Sequence, residues 1–115
     1  TSAAAIAFFG DIGTTDHSYE TAESLYRLAR NHSIQLVVKG GDLSYADSDQ
    51  TLWDKYMRMN EPYTSTVPSM ATVGNHENYF DFTAYNHRMF MPHEQSGSKS
   101  KQYFSFNFEK IHFVA

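Results

Sequence analysis

Four residues in three short loops have the side chains and the spacing for metal chemistry: Asp11 in Gly10-Asp11-Ile12-Gly13, Asp42 in Gly41-Asp42-Leu43, and Asn75 and His76 in Gly74-Asn75-His76-Glu77. Taken singly, each loop is an ordinary turn, because Gly, Asp and Asn favour turns for local backbone reasons. Together they offer three hard oxygen donors and an imidazole. Carboxylates gathered in one cleft repel each other unless positive charge lies between them, and oxygen and imidazole ligands suit Mg²⁺ or first-row metals. Asp42, the middle carboxylate, is placed to bridge two ions. Two ions about 3.5–4 Å apart clamp a phosphoryl group and activate a water.

The elements between these loops explain how they would meet. Ala3–Phe9 is an unbroken apolar run, the pattern of a strand covered on both faces. Ala22, Leu25, Leu28 and Ala29 recur at helical spacing and predict a helix over 18–31, capped by Ser18 or Asp16. A second apolar strand, Ile34–Val38, leads into Gly40-Gly41-Asp42. A helix over 50–60 would carry Leu52, Trp53, Tyr56 and Met57 on one side, and Pro62 and Pro68 fence an irregular stretch before a strand at Met70–Val73. Asp11 and Asp42 are 31 residues apart, Asp42 and Asn75 33, each interval suiting one βαβ crossover. The fold class is therefore α/β, built as βαβαβ. In such sheets ligands gather beyond the carboxyl ends of the strands, where all three loops fall. Further on, 82–90 reads as a short helix, Ser96–Ser100 as a loop, and Tyr103–Phe108 as a half-exposed strand that forms a hairpin with Ile111–Ala115.

Composition excludes several classes of function. The 115 residues suffice for one domain, and 41% hydrophobic content argues against intrinsic disorder. A net charge of −4 with no basic block disfavours nucleic acid as a partner. The apolar runs fall far short of the roughly 20 residues that span a bilayer. With no cysteine, disulfides and thiolate metal sites are excluded. The first nine residues lack the basic region of a secretory signal, and Asn31-His32-Ser33 is a formal N-glycosylation sequon. The chain opens and closes inside apolar runs, so it reads as a segment of something longer.

The same loops resemble the first three signature blocks of the purple acid phosphatases, a group within the calcineurin-like metallophosphoesterases. The matching stretches are Gly10-Asp11-x-Gly13, Gly41-Asp-Leu-Ser-Tyr-Ala-Asp47 with Trp53 following, Gly74-Asn75-His76-Glu77, and Arg88-Met-Phe-Met-Pro92 before a Ser-Gly-Ser loop. Most metallophosphoesterases read Asp-x-His in the first block. Here that position is Gly13, and Tyr45, three residues after the second Asp, takes the missing ligand's place as it does in purple acid phosphatases. A phenol titrates near 10 when free, and a strongly charged metal ionises it.

The resemblance implies the N-terminal part of a catalytic domain over 1–115, with an incomplete calcineurin-like sandwich. It further implies a dinuclear centre of Fe(III) with Zn, Mn or Fe(II). Asp11 and Tyr45 would ligate the ferric ion, Asp42 would bridge, and Asn75 would bind the divalent ion through its amide oxygen. His76 would be catalytic, meeting the substrate phosphate and helping to protonate the leaving alkoxide, with Asn75 also facing substrate. The implied activity is hydrolysis of phosphate monoesters by metal-bound hydroxide, in a secreted, vacuolar or lysosomal protein. The family's last two blocks, which donate three more imidazoles, do not occur here, so the segment holds about half of the site and would bind metal weakly alone. The remainder of the domain would follow residue 115. His112 reads as a packed or surface histidine, His17 and His32 as solvated, with His17 close enough to Asp11 for a minor substrate-side role. Two alternatives stand beside this reading: another metallophosphoesterase, a phosphodiesterase or nucleotidase, or a non-catalytic module that keeps the fold.

Overall fold

A computed structural model describes residues 3–115. Strands β1 (Ile6–Phe9), β2 (Leu36–Lys39) and β3 (Ser69–Ala71) form a parallel sheet in that order. Helix α1 (Asp16–Arg30) makes the first crossover and α2 (Leu52–Thr64) the second. A short helix α3 (Thr83–Arg88) and an antiparallel hairpin of β4 (Ser105–Phe108) and β5 (Ile111–Val114) complete the chain. The βαβαβ order and the C-terminal hairpin are those the sequence predicts. The register sets Phe9 beside Lys39 and Lys39 beside Ala71, so the loops carrying Asp11, Asp42 and Asn75 leave the same end of the sheet.

The predicted boundaries shift for identifiable reasons. Ala3–Ala5 lie outside β1, and β1 is covered on one face only, since Phe8 is 73% exposed on the face turned away from the helices. Continuous burial belongs instead to β2, where all four residues are buried. Helix α1 begins earlier than expected, and its cap is Thr15, not Ser18 or Asp16. The Thr15 side chain accepts the Ser18 N–H, and the Ser18 hydroxyl accepts the Thr15 N–H at 2.9 Å, a reciprocal box with Ser in the usual Glu place. The buried stripe of α1 is Ser18, Ala22, Leu25 and Ala29, leaving Leu28 42% exposed at its edge.

Helix α2 runs through Pro62 instead of stopping before it. An interior proline costs a helix about 3 kcal/mol through its lost N–H and a clash one turn back. Pro62 sits near the C-terminal end, and running on past it buries Tyr63 completely, which offsets the cost. The inward face of α2 is Trp53, Tyr56, Met59, Asn60 and Tyr63, with Leu52 and Met57 at its margins. Strand β3 pairs one residue earlier than predicted, Ser69 opposite Val37. Helix α3 is anchored to β3, with the buried Tyr85 hydroxyl donating to the Ala71 carbonyl at 2.7 Å.

Candidate functional site

The first two loops are laced together by main chain. The Asp11 N–H donates to the Gly41 carbonyl at 3.2 Å, and the Gly13 N–H to the Leu43 carbonyl at 2.9 Å. The buried Ser18 hydroxyl donates to the Ile12 carbonyl, so the start of α1 also fixes the first loop. Asp11, Asp42, Tyr45 and Asp47 all adopt left-handed backbone, with φ of 55°, 49°, 51° and 49°. That conformation costs a non-glycine residue about 1–2 kcal/mol, and strain of this kind clusters at ligand and catalytic sites.

Glu77 joins the third loop to the second. Its carboxylate, 3% exposed, accepts N–H groups from Asp42 at 2.9 Å, Leu43 at 2.8 Å and Gly74 at 2.8 Å. Gly74 is required by close approach: a Cβ there would lie 2.1 Å from Asp42 Oδ1. That oxygen accepts the His76 N–H at 3.2 Å. Asn75, His76 and Glu77 form a single 3₁₀ turn, which presents Asn75 and half-buried His76 on one side and turns Glu77 inward.

Tyr45 lies at the meeting of all three loops. Its hydroxyl donates to Asp11 Oδ1 at 2.7 Å. The separation resembles that of neighbouring oxygens on one ion held at roughly 2.0–2.1 Å. The hydrogen bond to Asp11 is the main cause that pushes the phenol up to about 12, with desolvation and the fields of Asp11, Asp42 and Glu77 adding to it. Gly13, at φ 64°, lies under the ring, where an added Cβ would meet Tyr45 Cδ2 at 3.4 Å. The ring is within van der Waals contact of that position, and the left-handed backbone there would strain any L side chain. The Tyr45 and His76 rings are 4.3 Å apart, tilted by 40°. His76 Nδ1 is 2.6 Å from Asp47 Oδ1, and this bond, against an opposing desolvation, raises the imidazole above its ordinary value.

Direct contacts thus join four of the five predicted residues: Asp11 to Tyr45, Tyr45 to His76, and His76 to Asp42. Asn75 heads the turn, exposed, and its side chain enters none of these contacts. The donors are carboxylate, phenol and amide oxygens, a set that fits the oxygen-rich part of a centre for hard cations. Among the described residues, no three His, Asp or Glu side chains gather closely enough to hold an ion by themselves. His17, exposed and paired with Glu20, lines the same open cleft of about 380 Å³ as Asp11. His32 is exposed, as is His112, which meets Asn107 on the hairpin surface at 2.7 Å. Asp47 and Glu77 stand inside the quoted motifs without an assigned role. Apart from Gly74, their partners are 29 to 35 residues distant, so only the fold reveals what they do.

Comparison with known proteins identifies the family and the fold. The calcineurin-like phosphoesterase family pattern matches residues 4–114. Purple acid phosphatase 21 of Arabidopsis thaliana is 39% identical over 94% of the chain, and probable purple acid phosphatase 20 of the same plant is 40% identical over 94%. A purple acid phosphatase of Glycine max is 33% identical over 92%. The chain spans about a quarter of the length of these relatives: 25%, 26% and 26%. The solved structure of a purple acid phosphatase from yellow lupin seeds shares the fold, with a TM-score of 0.81 at 22% identity over 95% of this chain and 23% of that one. The chain belongs to the calcineurin-like phosphoesterase family, and its similarity to purple acid phosphatases runs over nearly all its length.

Proposed function

We propose that the complete protein is an acid phosphatase that hydrolyses phosphate monoesters at a dinuclear centre of Fe(III) with Zn, Mn or Fe(II). Residues 1–115 would be the N-terminal part of its catalytic domain. The observation that carries the proposal is Tyr45, seated over Gly13 with its hydroxyl on Asp11 Oδ1. Most metallophosphoesterases place a histidine ligand where Gly13 stands, and in this reading the Tyr45 phenol would supply the ligand instead. A phenolate is a hard anionic donor that favours Fe(III).

In this reading Asp11 and Tyr45 would hold the ferric ion, Asp42 would be shared by both ions, and Asn75 would offer its amide oxygen to the divalent ion and to substrate. When bound, the metal pair supplies Lewis acidity toward phosphoryl oxygens and water. The chain's own residues do the rest. Glu77 fixes the Asp42 loop against the Asn75 turn by its three accepted N–H groups. Asp47 holds His76 Nδ1, which orients the ring and favours its protonated form. His76 then donates a proton to the leaving alkoxide oxygen from its other nitrogen. The segment alone would bind metal weakly and turn over little. By resemblance the whole protein is secreted, vacuolar or lysosomal. Among the described residues no helix is long and apolar enough to cross a membrane.

The test is to load the full-length protein with iron and zinc and measure visible absorbance alongside hydrolysis of p-nitrophenyl phosphate and its bis-ester. Monoesterase activity with a visible band, both lost in Tyr45→Phe, supports the proposal. Activity without colour and with preference for the diester assigns the protein to another phosphoesterase class. Failure to take up metal or hydrolyse either ester leaves a non-catalytic module.

A further inference from the structure

Lys39 ends β2 and is buried, 4% exposed. Two residues from Val37, it falls on the same face of the strand, toward the helices. Its Nζ lies 5.4 Å from the centre of the Tyr56 ring and 5.3 Å from that of Tyr63, and it joins no ion pair among the described residues. Tyr56 is fully buried, and its hydroxyl has no hydrogen-bond partner among the described residues. Buried polar groups nearly always find partners, and a buried charge normally finds an opposite one.

Both residues line a cavity of about 230 Å³ beside Asn60, Thr64, Ser69 and Arg88. Arg88 Nη1 is 2.8 Å from Asp54, which stands outside the cavity wall. The wall holds two cations and no Asp or Glu. Glu77, whose field reaches Tyr56, has its carboxylate engaged by three backbone N–H groups.

We propose that this cavity binds a small oxyanion, with the Lys39 ammonium, the Tyr56 hydroxyl and the Arg88 guanidinium as its donors. It is distinct from the Asp11–Asp42–Tyr45 site and independent of the function proposed for that site. Ammonium, guanidinium and phenol donors give short, charge-assisted bonds to tetrahedral oxyanions. Burial holds Lys39 down to about 8, the state of an ammonium that lacks a counter-charge, and an anion in the cavity supplies one. Inorganic phosphate, which any phosphomonoesterase releases, has this chemistry and is the probe.

The experiment follows acetylation of Lys39 by acetic anhydride in the full-length protein, read peptide by peptide by mass spectrometry. Phosphate is compared with chloride at equal ionic strength. Bound phosphate should slow Lys39 acetylation by about tenfold or more near saturation, and leave exposed Lys55 and Lys110 unchanged. Arg88→Gln should abolish the protection. Tyr56→Phe, which removes only the donor, should weaken it while circular dichroism stays unchanged. Equal rates in phosphate and chloride, a Lys39 that is never acetylated, or protection that survives Arg88→Gln would each overturn the proposal. Phosphate at the loop site cannot mimic the expected result, because that site does not contain Lys39.

Discussion

The Tyr45 hydroxyl donates to Asp11 Oδ1 across 34 residues of sequence at 2.7 Å. The contact exists because β1 and β2 end level with each other, Phe9 beside Lys39, so the loops that follow begin at the same height. Gly13 under the ring and the left-handed backbone at Asp11 and Tyr45 complete it. Two candidate ligands of one ion are thus already adjacent, a pair prepared for the metal that the proposed function requires.

Asp42→Asn in the complete protein should lower the content of both metals together, since a neutral amide bridges two cations poorly. Metal analysis after dialysis checks this. Two ions retained at wild-type affinity would remove Asp42 from the bridging position.

Glu77→Ala should destabilise the protein by about 3 kcal/mol or more, because three N–H groups lose their acceptor at about 1–3 kcal/mol each. Glu77→Gln, which keeps one carbonyl oxygen, should lose less. Urea unfolding of both variants measures the difference. A Glu77→Ala change within about 0.5 kcal/mol of wild type, the range of ordinary surface substitutions, would show that the clamp carries no stability.

Asp47→Asn removes the main cause that raises His76. A proton donor is active below its titration point, so the alkaline limb of the pH–kcat profile should move to lower pH in the variant. The acid limb should stay in place. An unmoved alkaline limb would mean that His76 is not the donor whose ionisation limits the rate.

Stability should depend on pH through Lys39. Burial lowers it from 10.5 to about 8, so in this range the unfolded chain binds more protons and folding gains stability as pH rises from about 8 toward 10.5. Tyr56, Tyr63 and Tyr85 are raised above their ordinary value of 10.0, mainly by desolvation, and oppose the gain above that pH. In phosphate-free buffer, stability should therefore rise between about 8 and 10 and turn over beyond. Lys39→Met should lose the rise and keep the later fall, which urea midpoints at successive pH values would show. A rise that persists in Lys39→Met would assign it to another group.

The sequence legibly carries the order of elements, because three apolar runs ending in Gly-Asp or Gly-Asn at spacings of 31 and 33 residues admit few other folds. The same pattern located Asp11, Asp42 and the Asn75 turn, and the resemblance added Tyr45. Helix ends were less legible. Thr15 and Ser18 cap each other reciprocally, and either alone resembles a cap. Pro62 reads as a stop until the burial of Tyr63 beyond it is known. Asp47 and Glu77 were illegible for a different reason, since a carboxylate's partner is set by which loops meet. Lys39 falls just outside the predicted strand Ile34–Val38, yet it ends β2 and its side chain runs inward between two aromatic rings.

The Glu77 clamp has a bearing on how the protein is made. Its three donors lie at Asp42, Leu43 and Gly74, on either side of the second crossover. Contacts between such distant stretches come late, after the intervening chain has closed. A nascent polypeptide that has emerged only as far as α2 has the Asp42 loop tied to the first loop but lacks the Glu77 brace. The pocket should set its shape only once β3 has docked, which leaves it among the last parts of this unit to mature.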